Sequence, residues 1–122
     1  MRRPREIFVF GSNLAGRHGR GAAREAYLKH GAEYGKGIGL VGDSYAIPTK
    51  DYYIRTLPLS VIKEHVGNFI NFATRNPDLQ FNITKVGSGL AGYNWDTEMR
   101  PLFPKKLPHN CRFIEDAAIP TV

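Results

Sequence analysis

The chain has 122 residues, 42% of them hydrophobic, enough for one modest core and too few for two, so residues 1–122 are read as a single domain. No apolar run approaches the ~18–20 residues of a membrane span, and the single cysteine, Cys111, excludes an internal disulfide and a cysteine-based zinc site. Both point to a cytoplasmic protein without a membrane partner. Seventeen Lys and Arg against eleven Asp and Glu give a net charge of +6, which suits phosphate-bearing partners, with a plain basic surface as the even alternative.

In chain order, EIFVF (residues 6–10) is β-branched and aromatic and stops at Gly11-Ser12, the pattern of a buried strand. From about Gly21, AAREAYLKH reads as a helix with Ala22, Ala26 and Tyr27 on its apolar face, ending at Gly31. Residues 31–44 are glycine-punctuated and read as irregular. YAIPT (45–49) is a second short strand, closed by Pro48. Between Leu57 and Asn76, Leu59, Ile62, Val66, Phe69, Ile70 and Ala73 recur at three- and four-residue spacing, which predicts an amphipathic helix. QFNITKV (80–86) is a third strand. Trp95 to about Phe103 is a short helix with Asn94 as N-cap, and CRFIEDAAI (111–119) a last strand. Strands alternating with helices predict an α/β fold with a mostly parallel sheet.

Two glycine-rich loops follow two of these strands: GSNLAGRHGRG from Gly11, and VGSGLAGYNW over residues 86–95. Parallel sheets bind ligands outside the carboxyl ends of their strands, so both loops are expected side by side at one mouth. Gly19 and Gly21, just ahead of a helix, suit a phosphate at a helix N-terminus. Gly87, Ser88, Gly89 and Gly92 suit a nest of main-chain N–H groups around another. The spacing does not match G-x-G-x-x-G, and no Walker lysine follows either loop. Main chain would therefore hold the phosphates, with no cofactor or metal required.

Asn13 can donate and accept at once, which suits a ribose diol, although capping a turn is the commoner task of an asparagine there. His18 is read as a base or stacking group, or else as a surface residue. Lys50 and Asp51 stand at a strand end, where a surface ion pair is the plain alternative to chemistry. Tyr93 and Trp95 offer faces to a base or ribose, or else belong to the core.

Together these pieces resemble a macrodomain, the fold that binds ADP-ribose and related NAD derivatives. FVFGSNLAGRHGRGAAREA resembles the strand, asparagine and loop that hold the distal ribose in that family. SYAIPTKDYY resembles the strand that follows, and ITKVGSGLAGYNWDTEMRPLF the second phosphate loop and the helix behind it. The resemblance covers roughly residues 6–104. It implies a compact three-layer αβα fold, shortened at the N-terminus, in which Asn13, Gly19, Gly21 and the stretch Gly87, Ser88, Gly89, Leu90, Ala91, Gly92 and Tyr93 bind the ligand. Within the family the chain is most similar to terminal ADP-ribose glycohydrolases, whose G-L-x-x-x-x-W pattern is matched by Gly89-Leu90 and Trp95. That branch implies Lys50 as a nucleophile on the anomeric carbon. Its partner carboxylate, which follows Gly-Leu directly, is replaced here by Ala91, leaving Asp96 or Asp51 as substitutes and tilting the expectation toward binding over turnover. The family's aspartate for the adenine amino group has no counterpart ahead of the first strand. The chain also resembles small proteins encoded by tailed bacteriophages and prophages, which implies an accessory role in an infected cell.

The expected function is thus binding of ADP-ribose or a related nucleotide. Two extensions follow: removal of ADP-ribose from modified protein or DNA, or sequestration of a nucleotide signal. The alternative is a nucleic-acid-binding accessory protein that uses Arg2, Arg3, Arg5, Arg17, Arg20, Arg24 and Lys105-Lys106. An inert assembly part is a third reading, one that leaves the glycine loops without a purpose.

Overall fold

The computed structural model describes residues 4–114. Five strands form one sheet in the order β2-β3-β1-β4-β5: β1 (Arg5–Asn13), β2 (Gly39–Val41), β3 (Ser44–Lys50), β4 (Leu79–Ile83) and β5 (Cys111–Phe113). β3, β1, β4 and β5 run parallel, and β2 pairs antiparallel with β3. The molecule is therefore α/β with a mostly parallel sheet, as the alternation of elements predicts.

Side chains alternate across β1 and divide the core. Ile7 and Val9 face α2 (Leu59–Thr74), whose Ile62, Val66, Phe69 and Ala73 are buried at the predicted spacing. Each large apolar side chain fully buried there contributes about 1.5–3 kcal/mol. Phe8 and Phe10 face α1 (Gly21–Lys29), which buries Ala23 and Ala26. Tyr27, expected on the buried face, is instead 45% exposed and packs edge-on against Tyr34. No helix of the described residues is long and apolar enough to cross a membrane.

Three elements depart from the expected boundaries. β1 continues past Gly11-Ser12, because its ladder with β3 runs on to the Asn13–Lys50 pair, with a register shift between Ser12 and Asn13. Pro48 lies inside β3 instead of closing it. β2 covers β3 only over Ser44–Ala46, so Pro48 stands where the strand has no outer neighbour and its missing N–H costs no ladder bond. β2 itself, three residues in a stretch that reads as irregular, has too little pattern to see. The short helix is a π-helical turn, Trp95–Met99, followed by a 3-10 turn, Arg100–Leu102. Asn94 caps it as expected, its side chain accepting from the Thr97 N–H at 2.9 Å. Of the last predicted strand only Cys111–Phe113 is observed, and Glu115–Ile119 lie outside the described residues.

Candidate functional site

β1 and β4 are neighbours in the sheet, so the loops leaving their carboxyl ends lie together, with a Cβ built on Gly11 only 3.2 Å from the Gly87 N. Between them opens a cleft of about 560 Å³, lined by the end of β1, the start of α1, the end of β3, Ile54 and residues 84–91. Asn13, Gly19, Gly21, Lys50, Gly87, Ser88, Gly89, Leu90 and Ala91 all line it.

Four cations line the cleft, Arg17, Arg20, Lys50 and Lys85, and among the described residues no Asp or Glu does. None of the four makes an ion pair within those residues. α1 begins here without a side-chain cap and without an acidic residue in its first turn. The N–H groups of Gly21, Ala22 and Ala23 thus lack intrahelical acceptors and put the positive end of the helix at the cleft. In the second loop the N–H groups of Val86, Ser88, Gly92 and Tyr93 are bonded within the loop, and those of Gly87, Gly89, Leu90 and Ala91 have no acceptor among the described residues.

Asn13 is held by its own loop. Its Nδ2 donates to the Arg17 carbonyl and its Oδ1 accepts from the Arg17 N–H, both at 2.9 Å. The turn-capping role is therefore present, and one amide hydrogen and one lone pair remain for a ligand. Lys50 stands opposite Asn13 in the β1–β3 register, and its carbonyl accepts from the Leu14 N–H at 2.9 Å.

Several expected contributors lie elsewhere. Asp96 is the second residue of the π-helical turn and does not line the cleft. Gly92 and Tyr93 are also outside the lining: Gly92 closes a turn with Gly89, and Tyr93 packs on the core with its hydroxyl donating to the Leu57 carbonyl at 2.7 Å. Trp95 is a core residue against Phe103 and Phe113. His18 is not a surface group and does not line the cleft. It is fully buried edge-on to Phe10, and its Nε2 lies 2.8 Å from the Glu33 carbonyl, which fixes the proton on Nε2.

Asp51 pairs with Arg55 instead of Lys50. Its carboxylate accepts from the N–H groups of Tyr53 and Arg55 at 2.8 and 3.0 Å and meets the Arg55 guanidinium at 3.3 Å. The Arg55 N–H foremost, with help from Tyr53 and the Arg55 charge, holds its pKa below the usual carboxylate range. The tight turn it closes puts Ile54 at φ +64, the left-handed region a β-branched residue rarely enters, and Ile54 lines the cleft. Thr56 then donates to the Ala91 carbonyl at 3.1 Å, tying this turn to the second loop.

Sequence reasoning missed Lys85 and Ile54 as lining residues. Lys85 stands at the carboxyl end of β4, where the rule for parallel sheets could have found it, whereas nothing in DYYIR announces a left-handed isoleucine. Comparison of the chain with protein-family models, curated proteins and solved structures finds no match. The geometry of the cleft alone carries the functional reading.

Proposed function

We propose that this protein binds ADP-ribose or a related NAD-derived nucleotide in the cleft between the two glycine-rich loops. The observation that carries this reading is the convergence of four unpaired cations and an uncapped helix N-terminus on one concave site free of carboxylates among the described residues. Such a site attracts a polyanion, and its volume lies in the ~300–1,000 Å³ range of small-molecule sites. In this reading one phosphate sits at Gly19–Ala23, the other at the free N–H groups of Gly87–Ala91, and the remaining capacity of Asn13 meets a ribose hydroxyl. The helices on opposite faces of the sheet are compatible with a three-layer, macrodomain-like arrangement.

Binding without turnover is the form we favour. Lys50 lines the cleft and could reach a sugar carbon, but hydrolysis also needs a group to protonate the leaving oxygen and activate water. Ala91 has no such group, Asp96 is outside the lining, and Asp51 is engaged by Tyr53 and Arg55.

The test is calorimetric titration with ADP-ribose at low and physiological salt, on the unchanged chain and on Lys50→Ala. Micromolar binding that persists at the higher salt and weakens in the variant is the expected result. No binding of ADP-ribose, together with a steeply salt-dependent shift of DNA, would replace this reading by the nucleic-acid one.

A further inference from the structure

Resting on the nucleotide reading above, we infer that the cleft selects its ligand by the diphosphate and ribose and is indifferent to the base. The neutral polar side chains of the lining are all engaged by main chain. Ser12 Oγ donates to the Gly37 carbonyl, Thr49 Oγ1 to Ser12, Thr84 Oγ1 to Val9 and Ser88 Oγ to Lys85, over 2.5–3.2 Å. The Asn13 amide is clasped to Arg17. No Asp, Glu, Gln, His, Tyr or Trp lines the cleft among the described residues. Beyond these groups the lining supplies the four cations, the free N–H groups and aliphatic surface.

Donors of this kind recognise phosphate oxygens. Adenine is told from other bases chiefly through its amino group, a donor that a carboxylate or a free side-chain amide oxygen reads. The one side-chain amide oxygen here, that of Asn13, keeps a single lone pair, which the reading above gives to the ribose. The surface left for a base is Ile54, held in its left-handed conformation, and Leu90, 58% exposed at the rim. Aliphatic carbon packs on a purine or a pyrimidine face without reading the hydrogen-bonding edge of either. Strong discrimination requires a site whose buried polar groups would be left unpaired by the wrong ligand, and the capacity still free in this cleft is claimed by the ribose and the phosphates in the reading above.

The experiment compares ADP-ribose with its inosine and uridine counterparts by calorimetry on the full chain. Replacing adenine by hypoxanthine exchanges the amino donor for a carbonyl acceptor and leaves the diphosphate untouched. Dissociation constants within tenfold of one another are expected, with Leu90→Ser weakening all three by a similar factor. A spread above tenfold overturns base indifference while leaving the nucleotide reading intact. Failure of all three to bind removes both.

Discussion

At the residue scale, the glycines divide by what surrounds them. Gly37 and Gly87 answer the fold: a Cβ on Gly37 would run into the Asn13 carbonyl, and one on Gly87 would lie 2.7 Å from the Sδ and Cε of the fully buried Met99. Gly19 and Gly89 answer nothing in the fold. Each lines the cleft, has no backbone conformation closed to other residues, and would hold a Cβ with no atom within 4 Å. An empty place that only glycine keeps empty is what a ligand approaching main chain needs. Gly87→Ala should therefore destabilise the chain by about 1–3 kcal/mol, read as a lower urea midpoint. Gly19→Ala and Gly89→Ala should leave stability unchanged or raise it by up to ~1 kcal/mol, yet weaken ADP-ribose binding. Equal losses of stability at all three positions would mean that the glycines serve packing alone.

At the scale of elements, the cleft is assembled by short segments braced against one another. Residues 33–37 form a floor under the first loop: Glu33 holds His18, the Gly35 N–H donates to Gly16, and the Gly37 carbonyl accepts from Ser12. The turn over residues 51–56 braces the second loop through Thr56. Its left-handed Ile54 stores strain of about 1–2 kcal/mol, and residues held this way tend to serve a site. Ile54→Gly relieves that strain while losing apolar contact and adding freedom to the unfolded chain. The opposing terms leave stability within about 1 kcal/mol of the parent. Affinity for the nucleotide should nevertheless fall. A variant that binds as well as the parent would show that Ile54 does not meet the ligand.

At the scale of the whole molecule, stability should fall as the solution is acidified. Burial foremost lowers the pKa values of His30 and His65 from 6.5, against the opposing pull of Glu25 on the first and Glu64 on the second. Below the unfolded value the unfolded chain binds more protons than the folded one, so folding weakens as pH drops from about 7 toward the lowered folded values. Asp51 adds a later loss. Its folded pKa is depressed, so its contribution is present above the unfolded carboxylate value and disappears as pH falls through the folded one. A urea midpoint that declines between pH 7 and pH 5, and declines less in a chain carrying both His30→Gln and His65→Gln, is the expected pattern. A midpoint flat over that interval would contradict it.

Every strand but β2, the long helix and the presence of two loops at strand ends were legible in the sequence, because hydrophobic spacing and glycine content are local signals. EIFVF needs no partner to read as a strand, and Ile62, Val66, Phe69 and Ala73 mark a buried helical face whatever they pack against. The site was only half legible. Asn13, Lys50 and the 87–91 stretch fell where strand ends must lie, but Tyr93, Trp95 and His18 carry the same residue types whether they face a ligand or the core. Only the packing of each loop on its neighbours separates those outcomes. The same holds for Asp51, whose carboxylate is claimed by the N–H groups of a turn that exists because the chain must return from β3 toward α2. Sequence determined where β1, β3, β4, the two longer helices and the glycine loops would fall; the tertiary structure decided the short edge strand β2 and which side chains the cleft receives, because those depend on contacts between segments far apart in the chain.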